Sequence, residues 1–151
     1  MSDARNIGAK PPEPDRNPSP EEIRKILKES KTVAIIGLSN KAGRPSRDVG
    51  VYLKEQGYTV IPVNPKLTEW EGVKSYSSLS EVPGPVDIVD IFRRAGAIDG
   101  LVGEIAAKKP RCAWLQLGIV NNEAAERIRQ AGIEVVQDRC MKIERASLFD
   151  H

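Results

Sequence analysis

Apolar residues along this chain form short continuous runs that alternate with segments of helical periodicity. The buried runs, rich in β-branched and aliphatic residues, predict strands at 32–36, 58–63, 86–91, 113–117 and 133–136. Apolar residues spaced three and four apart predict amphipathic helices over about 20–30, 46–56, 96–109 and 121–131. A brief strand over 72–76 and a short helix over 78–82 are also expected. This alternation predicts a Rossmann-like, doubly wound α/β domain, with a parallel sheet of five to six strands and helices on both faces.

Local signals divide the chain into three parts. Residues 1–18 are rich in proline and charge and have little apolar surface, so we expect a flexible leader with nothing to dock. A capping box of sequence SPEE begins at Ser19, with a proline at the first helical position, and opens the folded part. A single domain is expected over 19–146, followed by a tail at 147–151.

Composition and charge remove several classes of function. The 23 basic and 21 acidic residues leave a formal charge of +2, without the basic stripe of a nucleic-acid-binding protein. No apolar run has membrane-spanning length. The two cysteines, Cys112 and Cys140, are too few for a disulfide framework and favour a cytoplasmic location. The single histidine is His151, which argues against imidazole catalysis or a histidine metal site in the core.

The segment 32–46 is the centre of the predicted fold. A buried strand ends at Gly37, a polar loop follows, and a helix begins near Ser46. At such a strand–helix junction, backbone N–H groups and the helix N-terminus converge on one point, which suits a phosphate group.

Cationic side chains recur where the predicted strands end. Ligands of open α/β sheets bind beyond the carboxyl ends of the strands, here at 37–45, 64–66, 92–94, 117–120 and 138–141. Four of these five exits carry a cation, and the set is Lys41, Arg44, Lys66, Arg93, Arg94 and Arg139. Exposed loops often hold lysine and arginine, but their recurrence on one rim indicates a polyanionic ligand.

Two features argue against NAD as that ligand. The dinucleotide fingerprint has the pattern GxGxxG/A, whereas the run from Gly37 to Ala42 keeps only its first and last positions. At the end of the second strand, where NAD-binding domains have a carboxylate for the ribose, this chain has Lys66. A lysine there favours a phosphorylated ribose, which leaves NADP or coenzyme A.

Four blocks, each at a strand exit, carry a resemblance to a known family. They are VAIIGLSNKAGRPS, GYTVIPVNPK, PVDIVDIFRR and WLQLGIVNNEAAERIRQAGIEVVQDRCMKIE, and together they span about 31–144. In this order they resemble the stand-alone CoA-binding proteins, relatives of the CoA-binding N-terminal domain of the succinyl-CoA synthetase α-subunit. The resemblance implies a Rossmann-like domain that binds coenzyme A or an acyl-CoA.

The resemblance also implies roles for individual residues. The phosphates would lie against the first exit, at Gly37, Leu38, Ser39, Lys41, Arg44, Ser46 and Arg47. The adenosine ribose and its 3′-phosphate would lie along Asn64, Pro65 and Lys66. The nucleotide would be flanked by Phe92 and Arg93, and the pantetheine arm would face Leu117, Gly118 and Ile119. Arg139 and Cys140 complete the implied site, Cys140 standing where the synthetase α-subunit has a cysteine after its last strand.

Three functions remain open at this point. The leading one is a CoA or acyl-CoA binding protein that acts as a sensor, carrier or regulator. An NADP-dependent oxidoreductase module is the second, although the sequence has no Tyr-x-x-x-Lys pair. The third is a regulatory interaction module whose ligand site has decayed. Ligase activity would need an ATP-grasp partner in trans, and the acyl group, protein partner and oligomeric state stay undetermined.

Overall fold

Five parallel strands form the central sheet in the computed structural model, which describes residues 13–149. The strands are β1 (Thr32–Ile36), β2 (Thr59–Val63), β5 (Ile88–Ile91), β6 (Cys112–Leu115) and β7 (Glu134–Val136), and the short β3 (Glu69–Trp70) and β4 (Val73–Lys74) lie outside this sheet. Their order across the sheet is β2-β1-β5-β6-β7. The predicted parallel sheet is confirmed, with five strands.

Helices cover both faces of the sheet, as predicted. They are α1 (Pro20–Glu29), α2 (Pro45–Glu55), α3 (Val102–Lys108), α4 (Asn122–Gln130) and α5 (Met141–Phe149). One apolar core lies between the sheet and α3 and α4, and a second lies between the sheet and α1, α2 and α5. Alternate residues of β1 divide between the two cores, with Ile35 on one side and Ile36 on the other. Burial on both faces explains why the strands are continuous apolar runs.

The strand order reverses between β1 and β5. After β2, the chain crosses back over β1 and adds β5, β6 and β7 on the opposite side. The loops after β1 and β5 therefore leave the sheet toward opposite faces, and a crevice opens between them at the carboxyl ends.

The predicted strand at 72–76 does not form a regular strand of this sheet, although Tyr76 makes an isolated parallel bridge with Val63 of β2. Instead β3 (Glu69–Trp70) and β4 (Val73–Lys74) form a separate antiparallel pair. Glu71 and Gly72 connect them with φ values of 49° and 79°. Positive φ at both loop residues gives a tight hairpin turn.

The helix predicted over 96–109 is regular only in its second half, and shorter turns replace the first half. Residues 95–97 and 99–101 form separate 3-10 turns, and regular helix begins only at Val102. Gly96 and Gly100 lie in these turns, and glycine lowers the stability of a helix by about 1 kcal/mol relative to alanine.

The structure describes part of each predicted end of the domain. In the expected tail at 147–151, α5 continues to Phe149 and Leu148 packs against the core. In the expected leader at 1–18, the described residues are 13–18, which we call the N-terminal strap. Its members hydrogen-bond to α4 and to Gln137 through backbone and amide groups rather than through apolar contacts. Residues 1–12 lie outside the described part of the chain.

Candidate ligand site at the strand ends

Gly37 joins the ends of β1, β2 and β5. Its N–H donates to the Val63 carbonyl at 2.9 Å, and its φ is +89°. A Cβ at this position would meet the Phe92 carbonyl oxygen at 2.6 Å and Nη1 of Arg93 at 2.9 Å. The absence of a side chain at Gly37 therefore lets the end of β5 and the Arg93 guanidinium lie directly against the loop after β1.

Side chains from the β2–β4 region hold the backbone of that loop in place. The Asn64 amide donates to the Leu38 carbonyl at 2.9 Å, and the Trp70 indole N–H donates to the Ser39 carbonyl at 3.1 Å. Leu38 itself is fully buried. The start of the loop is thus fixed from one side by an amide and an indole.

Several N–H groups expected to receive phosphate are occupied within the chain. Ser39 N–H donates to the Ser46 hydroxyl at 3.0 Å, and Lys41 N–H donates to the Ser39 hydroxyl at 3.0 Å. Ser46 is buried, so its hydroxyl supports the loop rather than facing solvent. An anion at this exit would therefore meet side-chain cations and the start of α2 rather than these N–H groups.

The start of α2 is the other feature of this exit that can attract an anion. Its N-cap residue, Arg44, makes no side-chain cap hydrogen bond, and Pro45 occupies the first turn. Arg47 is half-buried and pairs with Glu71 at 3.4 Å. Among the described residues, the exposed Lys41 and Arg44 pair with no carboxylate. Two unpaired cations therefore stand beside an uncapped helix N-terminus, where positive potential is concentrated.

Lys66 lies in a turn at the end of β2. Asn64 Oδ1 accepts the Lys66 N–H at 2.9 Å, so the amide that secures Leu38 also shapes this turn. Pro65 and Lys66 are both exposed.

An open cleft of about 450 Å³ lies beside these exits, between the start of α2 and the ends of β5 and β6. It brings together five of the predicted site residues, namely Phe92, Arg93, Leu117, Ile119 and Cys140. Most of its lining is apolar, and Leu117 remains 64 % exposed at its edge. An open apolar cleft next to a cationic rim fits a ligand with one polyanionic and one less polar part.

The remaining predicted residues of this region lie around the cleft. Gly118 has a φ of +86°, and its N–H donates to the Asp138 carboxylate at 2.7 Å. Arg139 is exposed, while its carbonyl accepts the Trp114 indole N–H at 2.9 Å. The structure does not place Gly118, Arg139, Pro65 or Lys66 in the cleft lining.

The two cysteines have different surroundings. Cys140 is half-buried and lines the cleft. Cys112 is fully buried in β6, and burial, with the nearby Glu134 carboxylate, raises the pKa of its thiol well above the ordinary value. Cys112 is therefore a small core residue, as a strand position predicts.

Other residues of the site went unpredicted. The cleft is also lined by Pro45, Val49, Arg94, Gln116 and Ile143. Arg94 was noted as a cation at a strand exit but not assigned to the site. Ile143 belongs to α5, which the sequence pattern did not reveal, and Trp70 reaches Ser39 across 31 positions of the chain.

Asp90 is a buried carboxyl group in β5 that does not line this cleft. It lies between Ile35 and Trp114 in the register of the sheet, fully buried, and neither carboxylate oxygen has a hydrogen-bond partner among the described residues. Burial raises the pKa of Asp90 well above its ordinary value. The protonated, neutral form is therefore favoured in the folded protein.

Within residues 13–149, no helix is long and apolar enough to cross a membrane, and no group of three His, Cys, Asp or Glu side chains is placed to hold a metal ion.

A second cleft, of about 470 Å³, lies near the amino end of β7, where Arg16, Glu22, Arg129 and Glu134 contribute charges of both signs. It is far from the carboxyl ends of the strands.

One related protein of known sequence matches most of this chain, and another matches a shorter part of it. An uncharacterized protein of Bacillus subtilis, YneT, is 41 % identical over 131 residues, covering 87 % of this chain and 97 % of that protein. The α-subunit of an ADP-forming acetate–CoA ligase of Pyrococcus furiosus is 45 % identical over 60 residues, which are 39 % of this chain but 13 % of the subunit.

Solved structures agree with the fold. The Thermus thermophilus protein called cell-free ID.343 has a TM-score of 0.83 and 40 % identity, covering 87 % of this chain and 100 % of its own. A hypothetical protein from Pyrococcus horikoshii has a TM-score of 0.85 and 34 % identity, covering 92 % of this chain and 98 % of its own.

The CoA binding domain family matches residues 31–146, which include all five strands of the central sheet and α2 to α4. The resemblance drawn from the four strand-exit blocks is thereby confirmed. The chain belongs to the CoA binding domain family.

Proposed function

We propose that this protein binds coenzyme A or an acyl-CoA at the carboxyl edge of its sheet and acts as a sensor, carrier or regulatory protein. One observation carries the proposal. In a member of the CoA binding domain family, an apolar cleft of about 450 Å³ adjoins a rim of unpaired cations at the crossover between β1 and β5. Coenzyme A has the matching division, with phosphates at one end and a pantetheine arm at the other.

The phosphates are assigned to the rim formed by the exits of β1 and β2. Lys41 and Arg44 would neutralise the pyrophosphate beside the uncapped start of α2. Lys66 would contact the 3′-phosphate of the ribose, held near Asn64 and Pro65. Because the N–H groups of Ser39 and Lys41 are already occupied, side-chain charge would contribute most of the binding energy here.

The pantetheine arm is assigned to the apolar cleft. Leu117 and Ile119 would form one wall, joined by Gly118 outside the lining, and Phe92 with Arg93 would separate it from the nucleotide. Arg139 and Cys140 would lie near the far end of the arm. An acyl group on the thiol would meet the exposed aliphatic edge at Leu117 and Ile143, which are 64 % and 57 % exposed.

Binding alone is proposed, rather than a ligase reaction by this chain. The match to the acetate–CoA ligase covers 13 % of that subunit, so any ligase role would require further domains in trans. An NADP-binding oxidoreductase module remains the second candidate, because Lys66 would suit a 2′-phosphate as well as a 3′-phosphate. A cytoplasmic location, where coenzyme A is available and two thiols stay reduced, accompanies the proposal.

A ligand panel tests the proposal. Thermal unfolding is followed with coenzyme A, acetyl-CoA, dephospho-CoA, NADP, NAD and ATP, since a ligand at a hundred times its Kd stabilises the folded state by about 2.7 kcal/mol. We expect the largest rise in melting temperature with coenzyme A or acetyl-CoA. A larger rise with NADP would replace the proposal by the oxidoreductase reading, and no rise with any CoA compound would refute it.

The Lys66→Ala variant then tests how the ligand is oriented. A charge-assisted contact to the 3′-phosphate gives roughly a ten- to hundredfold preference for coenzyme A over dephospho-CoA. Lys66→Ala should remove most of that preference and leave dephospho-CoA binding unchanged. Lys31→Ala, an exposed lysine just before β1 at the opposite edge of the sheet, is the matched control and should change neither affinity.

A further inference from the structure

The loop at 116–121 forms one side of the apolar cleft and is held by the segment that follows β7. Three residues of this loop line the cleft. Gly118 N–H donates to the Asp138 carboxylate at 2.7 Å, and Asn121 N–H donates to the Gln137 side-chain oxygen at 2.7 Å. The position of this wall therefore depends on where Gln137 and Asp138 point.

Gln137 is itself fixed by the N-terminal strap. The residue is fully buried, and its backbone N–H and carbonyl both bond to the side-chain amide of Asn17, at 2.8 and 2.9 Å. Its side-chain NH₂ donates to Asn122 Oδ1 at 3.0 Å, an oxygen that also accepts the Asp15 N–H at 2.9 Å. These polar contacts of Gln137 thus lead either to the strap or to the start of α4.

The Asn17 amide acts as a substitute for a neighbouring strand. β7 is an edge strand of the sheet, and Gln137 is the residue directly after it. A side-chain amide that both donates to and accepts from one residue's backbone reproduces the pair of bonds that a paired strand makes. Gln137 is thereby held with its side chain toward Asn121.

Asn121 extends the same network to the other wall of the cleft. Its side-chain oxygen caps α4 by accepting the Ala124 N–H at 3.0 Å, and its NH₂ donates to the Ala95 carbonyl at 3.0 Å. Ala95 directly follows Arg94, a cleft residue on the β5 exit. One continuous set of hydrogen bonds therefore links the strap to the loops after β5, β6 and β7.

We propose that Asn17 is a positioning residue for the cleft, acting through Gln137 and Asn121 on the loop 116–121. The inference rests on the proposed function for the identity of the ligand. Loss of the Asn17 amide removes the hydrogen-bond partner of the Gln137 backbone. The Gln137 side chain is then no longer held in one orientation. The cleft wall loosens, so the pantetheine arm is bound less well, whereas the phosphate rim at α2 and β2 keeps its geometry.

The test compares two ligands that differ in the arm. Coenzyme A contains the pantetheine arm, and adenosine 3′,5′-bisphosphate lacks it. In Asn17→Ala, we expect the affinity for coenzyme A to fall about tenfold, as for one lost buried contact, and the affinity for the bisphosphate to stay within twofold. Arg16→Ala is the matched control on the strap, because its guanidinium contacts only the exposed Glu126 among the described residues and should change neither affinity.

Hydrogen exchange gives a readout that does not depend on the ligand. The Asn121 amide should exchange faster in Asn17→Ala than in Arg16→Ala, while amides of β1 keep their protection. Unchanged exchange at Asn121, or equal weakening of both ligands, would overturn the proposal. If the wild type binds neither ligand, the proposed function fails and exchange alone decides the role of Asn17. Should Asn17→Ala fail to fold, Asn17→Asp, which keeps the acceptor and loses the donor, is measured in its place.

Discussion

Replacing Gly37 by alanine tests how the ends of β1 and β5 are joined. The new methyl group would lie 2.6 Å from the Phe92 carbonyl oxygen and 2.9 Å from Nη1 of Arg93. The backbone oxygen cannot move without displacing β5, so the strain cannot relax locally. The same change also forces alanine to a φ of +89°, a conformation that favours glycine.

Gly43 offers a matched control in the same loop. Its φ is +87°, nearly equal to that of Gly37, but a Cβ there would meet no atom within 4 Å. The backbone cost is therefore common to both variants, roughly 1–2 kcal/mol for a left-handed residue with a side chain. The steric term adds about 1–3 kcal/mol for forced overpacking and applies only to Gly37→Ala.

We thus expect Gly37→Ala to lose roughly 2–5 kcal/mol of unfolding free energy and Gly43→Ala roughly 1–2 kcal/mol. Urea unfolding followed by tryptophan fluorescence measures both, because Trp70 and Trp114 are buried. In the Gly37 variant Arg93 must also move, so coenzyme A affinity should fall, and Gly43→Ala should retain it. Equal losses of stability in the two variants would refute the close approach as the reason for glycine at position 37.

Two further predictions concern buried groups. The folded-state pKa of Asp90 lies above its unfolded value, so this carboxyl group lowers the free energy of unfolding as pH rises from about 4 toward the folded pKa. Asp90→Asn should therefore gain stability relative to wild type over that range, measured by urea unfolding at pH 4 and pH 8. Parallel pH profiles of the two proteins would contradict this. Under native conditions iodoacetamide should modify Cys140 and spare Cys112, with coenzyme A slowing the reaction; equal labelling of both thiols would contradict the burial difference.

Much of the fold follows from local sequence signals. The buried run before Gly37 and the capping box at Ser19 are short-range patterns, and the structure contains both of them. Parallel strands buried on both faces give continuous apolar runs, so their positions were predictable to within about two residues. The strand exits, and hence the edge that carries the candidate site, followed from those positions.

The missed features depend on contacts between distant parts of the chain. Asn17 bonds to Gln137 across 120 positions, and neither residue has a local signal for that pairing. In α5, Ile143 is exposed at the cleft while Met141 is buried, so the helix lacks one clear apolar stripe. The Glu71-Gly72 turn has positive φ at a glutamate, an uncommon choice that the pattern of turn residues does not predict.

The candidate site was predictable in its parts but not in its internal bonding. Phe92, Arg93 and Ile119 meet in one cleft because they follow adjacent strands. The occupation of the Ser39 N–H by the Ser46 hydroxyl could not be read from sequence, since both residues appeared equally suited to phosphate.

Amide chemical-shift mapping by NMR during titration with coenzyme A tests the central claim most directly. The proposed site predicts the largest shifts at Gly37, Arg47, Arg93 and Gly118, which lie at the exits of β1, β5 and β6 or at the start of α2. Shifts confined to the charged cleft at the amino end of β7, around Gly132 and 133–135, or no shifts at all, would contradict a coenzyme A site at the carboxyl edge of the sheet.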